Sequence, residues 1–329
     1  MTSLDSFPCA HRQRAPLADR STLRVGGTAR LLLEPADPEQ LVDAVRWVRE
    51  RGERLHLLGG GANTILPDGE IDGVVVTTDR LRRTFRYIAP GDRADRSEDP
   101  FEEATPRVML PEDGGEPVLV SWAGSSMPGI VTAAKGLGWS GVEGLAGVPG
   151  TIGGGVAMNA GGSWGDLWDV VELVRVLTPD GDVKDLERSA CAPSYRNGNL
   201  GGAIVLAVVL RLRRSNKKAV ADAVAEYLRH KRDVQPVTEA SAGCVFKNPD
   251  KNVSGGRSAG RLVEEAGLKG ASIGGAMVSP KHGNFVVNTG GATAADVLAL
   301  IERMRGEVAE RFGVVLEREV KVWETDPGA

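Results

Sequence analysis

Apolar residues recur at intervals of three and four along several stretches of the chain, which predicts amphipathic helices. The first helix is predicted over about Pro38–Arg51, where Asp37 can cap the start and Gly52 can end the helix. The longest begins after Thr293, which forms a capping-box pattern with Asp296. The same spacing predicts three further helices, at about Pro128–Leu137, Ala219–Lys231 and Ala259–Ala266.

Short apolar runs and two-residue alternation between these helices predict β-strands. The longest apolar run, Ala203–Leu210, is too short to span a bilayer and is typical of a buried strand. The alternating segment Val314–Trp323 predicts a final strand. Other strands are predicted at Leu55–Leu58, Gly73–Thr77, Val118–Trp122, Val170–Leu177 and Ala203–Leu212. Helices and strands are therefore interleaved, with no repeat at a fixed period.

Two glycine-rich loops stand out among these elements. The first is Gly59-Gly60-Gly61-Ala62-Asn63. The second runs from Gly144 to Gly155 and is followed by a segment, up to Gly162, that contains Asn159. Neither has the glycine spacing of a dinucleotide-binding fold or the Lys-Ser/Thr pair of a P-loop. Runs of small residues expose successive backbone N–H groups, which bind anions. Each loop alone fits a tight turn equally well. The pair, with Asn63 and Asn159 each following a loop, favours a cofactor diphosphate held between them.

The composition narrows the class of protein. A chain of 329 residues allows two or three domains, and its net charge of −4 offers no basic face for nucleic acid. Cys9, Cys191 and Cys244 are too few for a disulfide framework and too far apart for a zinc site. The N-terminus lacks the apolar core of a signal peptide. We therefore expect a cytoplasmic, monomeric protein that binds neither membrane, nucleic acid nor metal, with a solvated acidic insertion at about 90–117.

Several of these segments resemble a known family. Leu57–Asn63 resembles the first FAD loop of the vanillyl-alcohol-oxidase, or PCMH-type, superfamily. Gly141–Gly161 resembles the second loop of one member family, the UDP-N-acetylenolpyruvoylglucosamine reductases. Further matches are Tyr195-Arg196, Ala242–Pro249, Gly267–Gly270, Lys281–Asn288 and Leu316–Val322. The resemblance extends in the family's order from about Leu23 to the last predicted strand.

This resemblance implies an α+β fold. A two-subdomain PCMH-type FAD-binding unit, at 1–80 and 81–214, would precede a C-terminal α+β substrate-binding domain at 215–329. The chain resembles the subtype that lacks a tyrosine-bearing loop insertion. FAD would be bound non-covalently, since neither loop holds a His or Cys for a covalent link, and NADPH would donate the hydride. The residues expected to bind the cofactor are Gly59, Gly60, Gly61, Ala62, Asn63, Gly147, Val148, Pro149, Gly150, Gly153, Gly154 and Asn159.

The reaction that the resemblance implies is reduction of UDP-N-acetylglucosamine enolpyruvate to UDP-N-acetylmuramate, in peptidoglycan precursor synthesis. Hydride passes from NADPH to the flavin and then to C3 of the enolpyruvyl group, which leaves negative charge at C2 and in the carboxylate. The site therefore needs a cation at the carboxylate and an acid at C2. The alternatives are another FAD oxidoreductase of the superfamily, such as a sugar-lactone or alcohol oxidase, and a catalytically impaired flavin or nucleotide-sugar binding protein.

Three residues match the family's catalytic positions. Arg196 can grip a carboxylate, although an arginine also commonly forms a surface salt bridge. Glu319 matches the catalytic glutamate, although it could lie with Glu317 on a solvated strand face. Cys244 stands where the family usually has the serine that protonates C2. A lone cysteine is otherwise typical of a small buried apolar residue, and Ser241 is an alternative donor.

Lysine and asparagine side chains near these positions are candidates for binding the substrate. Lys247 and Asn248 are expected to face its carboxylate or diphosphate, and Lys281 and Asn284 are further candidates. Lys231 either adds charge at the substrate entrance or is a solvated residue at a helix end. No metal is expected, because the flavin supplies the hydride.

Overall fold

The structure, a computed structural model, describes residues 7–86 and 116–323. Apart from its last two residues, the acidic insertion predicted at about 90–117 lies outside the described residues. The helices in the described part are α1 (Pro38–Glu50), α2 (Met127–Leu137), α3 (Ile152–Ala157), α4 (Arg188–Cys191), α5 (Lys217–Val234), α6 (Lys251–Ser254), α7 (Ala259–Glu265) and α8 (Ala294–Phe312). Its first ten strands are β1 (Ala10–Pro16), β2 (Thr28–Glu34), β3 (Leu55–Leu58), β4 (Thr64–Ile65), β5 (Glu70–Thr77), β6 (Thr84–Arg86), β7 (Val118–Trp122), β8 (Trp139–Ser140), β9 (Gly161–Gly162) and β10 (Gly165–Asp166). The others are β11 (Val171–Leu177), β12 (Val183–Glu187), β13 (Ile204–Arg211), β14 (Arg213–Arg214), β15 (Ala240–Cys244), β16 (Ser272–Ile273), β17 (Ala276–Val278), β18 (Phe285–Asn288) and β19 (Lys321–Val322).

The chain divides into two compact units, each assembled from separated stretches. The first unit comprises Met1–Ala10, Glu34–Arg51 and Val76–Leu228. The second unit comprises His11–Leu33, Gly52–Val75 and Arg229–Ala329. The division into three consecutive domains stays a prediction.

The first unit is built on an antiparallel five-stranded sheet with the order β12-β11-β13-β7-β6. Its central strand β13 is the predicted apolar run, and every residue of β13 except Arg211 is buried. Helices α1 and α3 both contact β13. Helix α1 begins as predicted, because the Asp37 side chain accepts a hydrogen bond from the backbone N–H of Gln40. Its apolar stripe is buried, with Leu41, Val42, Val45 and Val48 facing inward.

The second unit carries two four-stranded sheets, in the orders β1-β2-β5-β3 and β15-β18-β17-β16. The second of these is antiparallel and packs against α8. Helix α8 has the predicted capping box between Thr293 and Asp296. Its buried residues include Val297, Leu300, Ile301, Met304 and Val308. A parallel pair, β4 with β19, joins the segment after the first glycine loop to the end of the described chain.

The interleaved helices and strands confirm the predicted α+β class. The prediction of a strand over Val314–Trp323 is wrong for most of that length, since only β19 and one isolated bridge, Arg318 with Phe246, have strand pairing. The segment changes partner along its length. It hydrogen-bonds first to residues 245–247 and then to residues 63–65, so no single ladder continues.

Candidate active site

The first glycine loop, 59–63, lies in the second unit between β3 and β4. Gly61 has a φ of +58°, and a Cβ at this position would collide with the backbone oxygen of Arg20. The Gly61 oxygen accepts a hydrogen bond from the backbone N–H of Thr22 at 3.1 Å. The loop is therefore held against the chain before β2 at a point where only glycine fits.

Asn63, at the end of this loop, connects it to the segment that carries Glu319. The Asn63 side-chain amide donates to the backbone oxygen of Glu319 at 3.3 Å. The Asn63 backbone oxygen accepts from the N–H of Lys321 at 3.0 Å. Asn63 was predicted to bind cofactor. In the structure its side chain holds the backbone of a predicted catalytic residue.

Cys244 and Glu319 lie on neighbouring segments of the second unit. Cys244 ends β15 and pairs with Phe285 of β18. The next residue, Val245, accepts hydrogen bonds on its backbone oxygen from the N–H groups of Glu319, at 2.7 Å, and Val320, at 3.3 Å. Two predicted catalytic residues, 75 positions apart in the sequence (319 − 244), are thus brought together by backbone pairing.

Asn284 fixes the other side of this segment. Its side chain donates to the backbone oxygen of Phe246 at 2.7 Å and accepts from the Phe246 N–H at 2.9 Å. Its backbone oxygen accepts from the N–H of Val245 at 2.9 Å. Asn284 is only 3% exposed. Its side-chain amide therefore completes a β-type pairing with Phe246.

The predicted substrate-binding residues also belong to the second unit, and each has an intramolecular partner. The ammonium group of Lys247 forms an ion pair with Glu317 at 2.5 Å. The side-chain oxygen of Asn248 accepts from the N–H of Ala259 at 3.1 Å. The exposed Lys281 donates to the backbone oxygen of Arg232.

Lys231 has an altered acidity. Burial lowers the pKa of its side chain to about 8, because desolvation disfavours the charged ammonium.

The second glycine loop lies in the first unit and leads into α3. Gly147 and Gly150 have φ values of +70° and +98°, which only glycine adopts readily. The N–H of Gly153 donates to the backbone oxygen of Ala123 at 2.9 Å, and this bond places the start of α3 beside the end of β7. The loop backbone is therefore closely tied to the five-stranded sheet.

Thr151, between Gly150 and α3, was not among the predicted cofactor residues. Its side chain is buried, and its hydroxyl has no hydrogen-bond partner within the described ranges. An unpaired buried hydroxyl is unfavourable, and this one lies in a loop that is predicted to bind the cofactor diphosphate. The position was detectable from the sequence, since a threonine after Pro-Gly and before an apolar residue is a typical helix N-cap.

Asn159 connects the second loop to the segment that carries Arg196. Asn159 is buried with a φ of +42°, and its side-chain amide donates to the backbone oxygen of Ser194 at 3.0 Å. Its side-chain oxygen accepts from the N–H of Trp168 at 3.3 Å. Like Asn63, it uses its side chain inside the protein.

Arg196 itself is held by the β9–β10 hairpin. Its guanidinium donates to the backbone oxygen of Gly161 at 3.1 Å and lies 3.9 Å from a carboxylate oxygen of Asp166. Burial raises the pKa of Asp166, while the charge of Arg196 acts to lower it. The described residues contain no group of His, Cys, Asp and Glu side chains arranged to hold a metal ion.

Comparison with known proteins identifies the families that the two parts of the chain match. Residues 29–94 and 111–187 match the family model for an FAD binding domain. Residues 235–323 match the model for the C-terminal domain of UDP-N-acetylenolpyruvoylglucosamine reductase. With its two glycine loops on an α+β scaffold, the chain is an FAD-dependent oxidoreductase, and the predicted cofactor is confirmed.

Individual relatives identify the family. The UDP-N-acetylenolpyruvoylglucosamine reductase of Anaeromyxobacter sp. (strain K) is 41% identical over 313 residues, which cover 95% of this chain and 85% of that protein. The UDP-N-acetylenolpyruvoylglucosamine reductase 2 of Symbiobacterium thermophilum is 38% identical and covers 99% of this chain and 96% of its own length. The crystal structure of the Thermus caldophilus reductase (MurB) matches with a TM-score of 0.72 at 33% identity, over 96% of this chain and 98% of that one. The chain belongs to the UDP-N-acetylenolpyruvoylglucosamine reductase family.

Proposed function

We propose that this protein reduces the enolpyruvyl ether of UDP-N-acetylglucosamine to the lactyl ether of UDP-N-acetylmuramate, with NADPH as reductant. The observation that carries the proposal is the pairing of Cys244 and Glu319 through Val245, with Asn63 of the first FAD loop bonded to the same segment. A proton donor, a carboxylate and a flavin loop within one unit suit a reduction in which one carbon of a double bond takes a hydride and the other takes a proton. The step belongs to peptidoglycan precursor synthesis, and we place the enzyme in the cytoplasm as a monomer. None of the helices in residues 7–86 and 116–323 is long and apolar enough to cross a membrane.

Each of the two glycine loops would bind the cofactor through its own backbone. The N–H groups of residues 59–63 would donate to FAD, and so would those of residues 147–154 together with the Thr151 hydroxyl. When bound, FAD would supply the hydride-transfer chemistry, with NADPH as the source of the hydride. The protein residues then have to manage the charge and the proton that this transfer requires.

Arg196, Glu319 and Cys244 divide that work. Hydride addition at C3 of the enolpyruvyl group breaks the C2–C3 double bond and places an electron pair at C2 and in the carboxylate. The guanidinium of Arg196 stabilises the enolate charge. Glu319 donates a hydrogen bond to the enolate oxygen if it is a neutral acid, or orients a water or another donor if it is an anion. The Cys244 thiol gives its proton to C2, and the thiolate that remains is reprotonated from solvent. A thiol is a stronger acid than the serine hydroxyl usual in the family, so it suits this donation.

Lysine and asparagine side chains bind the rest of the substrate. Lys247, Asn248 and Lys281 contact its anionic groups, exchanging the intramolecular partners they have in the present structure. Lys231 adds a further positive charge. An anionic ligand beside it would raise its lowered pKa again and keep the ammonium charged near neutral pH.

The experiment that tests this function uses the protein as purified. A flavin absorbance should be present, should bleach on addition of NADPH without oxygen, and should return on addition of UDP-N-acetylglucosamine enolpyruvate. Return of the absorbance with oxygen but not with the enolpyruvyl substrate would instead indicate an oxidase. Bleaching without return under either condition would indicate an impaired binding protein.

A further inference from the structure

One rung of the short β9–β10 hairpin in the first unit faces the guanidinium of Arg196. Gly161 and Asp166 are paired across this hairpin. We propose that Asp166 is a positioning residue that orients Arg196 for the enolpyruvyl carboxylate. The proposal rests on the catalytic role given to Arg196 above.

The rung offers Arg196 two acceptors. The Gly161 backbone oxygen takes a hydrogen bond from one terminal nitrogen of the guanidinium at 3.1 Å. The Asp166 carboxylate lies 3.9 Å from the other terminal nitrogen. Because a guanidinium is planar and rigid, contacts at both terminal nitrogens fix the plane of the group as well as its distance.

Gly161 allows the carboxylate to reach this place. A Cβ at position 161 would collide with a side-chain oxygen of Asp166, so the carboxylate occupies the space that any other residue would fill. The backbone N–H of Asp166 also donates to the carboxylate of Asp169 at 2.8 Å, which holds Asp166 in the hairpin. The Asp166 carboxylate is therefore held in place by contacts within the hairpin that do not involve Arg196.

The position of Arg196 is constrained by the burial of its side chain and by its backbone conformation. Its side chain is 15% exposed, whereas that of Asp166 is 38% exposed. Its backbone has a φ of +56°, an unusual conformation for a side chain of this size. Burial raises the pKa of the Asp166 carboxyl, and the positive charge of Arg196 acts to lower it. The two side chains therefore interact electrostatically.

The test compares Asp166→Asn with Asp185→Asn in the FAD-loaded enzyme. Asp185 forms an ion pair of 2.7 Å with Arg175 on the same unit, so its substitution removes a carboxylate from an arginine that has no proposed catalytic role. Stopped-flow absorbance then measures flavin reduction by NADPH and flavin reoxidation by the enolpyruvyl substrate separately. We expect Asp166→Asn to slow reoxidation by about 10- to 100-fold, as misplacement of a catalytic group does, with flavin reduction and substrate Kd nearly unchanged. Asp185→Asn should alter neither half-reaction.

A double-mutant cycle separates positioning from a structural role. If Asp166 acts through Arg196, Asp166→Asn should cause no further loss in an Arg196→Ala background. Additive losses in the cycle, or an unchanged reoxidation rate in Asp166→Asn while Arg196→Ala is slow, would overturn the role of Asp166 alone. Full-speed reoxidation in Arg196→Ala would instead overturn the proposed function of Arg196, and the two failures are thus distinct.

Discussion

The side-chain amide of Asn63 donates a hydrogen bond to the backbone oxygen of Glu319 at 3.3 Å. A matching bond occurs in the other unit, where Asn159 donates to Ser194, two residues before Arg196. In each unit the asparagine at the end of a glycine loop thus holds the segment of a proposed catalytic residue. In each unit one side chain therefore joins a loop proposed to bind FAD to a segment with a proposed catalytic residue.

The Asn63–Glu319 contact can be tested with Asn63→Asp. This change replaces the donor by a carboxylate that faces a carbonyl oxygen, and we expect it to reduce the free energy of unfolding by about 1–3 kcal/mol. Flavin reoxidation by the substrate should also slow, because the backbone of Glu319 loses one of the hydrogen bonds that position it. Urea denaturation and stopped-flow absorbance measure the two effects. Asn252→Asp makes the same chemical change at an exposed site and should alter neither. Equal stability of both variants would show that the hydrogen bond contributes nothing.

Local features of the fold were predictable from the sequence, and non-local ones were not. The start of α1 follows from Asp37 and the start of α8 from Thr293 and Asp296, because a cap involves residues within one turn. Strand β1 was not predicted, since Ala10–Pro16 is polar and almost wholly exposed. It forms by pairing with β2, and the alternation rule detects only strands with one buried face.

In the candidate site, too, local features were predictable and contacts between distant residues were not. Motif positions indicated Arg196, Cys244 and Glu319, and backbone pairing brings the last two together. No local pattern indicated that Asn63 would bond to a residue 256 positions away, or that Asp166 would face Arg196. Those contacts depend on tertiary packing, which a single sequence read locally does not contain.

Thr151 should affect the flavin-free and the FAD-bound protein in opposite directions. Thr151→Val removes a buried hydroxyl that has no hydrogen-bond partner in the described part of the chain, so the flavin-free protein should become more stable by up to about 1–3 kcal/mol. The same change removes the hydrogen bond that we propose this hydroxyl makes to FAD, so the Kd for FAD should rise by about tenfold or more. Urea denaturation of flavin-free protein and flavin fluorescence titration measure the two quantities.

Thr132→Val is the matched control, because its hydroxyl donates to Pro128 on an exposed turn of α2. It should leave the Kd for FAD unchanged. An unchanged Kd for FAD in Thr151→Val as well would mean that this hydroxyl does not contact the cofactor.

Substitution of Cys244 should affect only the second half-reaction. Cys244→Ala removes the proposed acid, and we expect flavin reoxidation by the substrate to slow by about 10²- to 10⁴-fold, the range typical of general acid catalysis. Reduction of FAD by NADPH needs no proton at C2 and should keep its rate. Cys244→Ser restores a donor of the kind usual in the family and should recover most of the lost rate. Wild-type reoxidation in Cys244→Ala would assign the proton to another group, such as Ser241.

A cysteine used as an acid should make the enzyme sensitive to peroxide. Oxidation of thiols follows their thiolate fraction and exposure. Burial raises the pKa of Cys9 to about 11 and also raises that of Cys191, so both are almost wholly protonated at neutral pH and react slowly. Cys244 is partly exposed, and we expect it to be the site of inactivation.

After timed exposure to hydrogen peroxide, Cys244→Ser should keep its own starting activity while the unaltered enzyme loses activity. Cys9→Ser should be inactivated as fast as the unaltered enzyme, and mass spectrometry should locate the added oxygen on Cys244. Loss of activity at the same rate in Cys244→Ser would place the damage elsewhere in the protein.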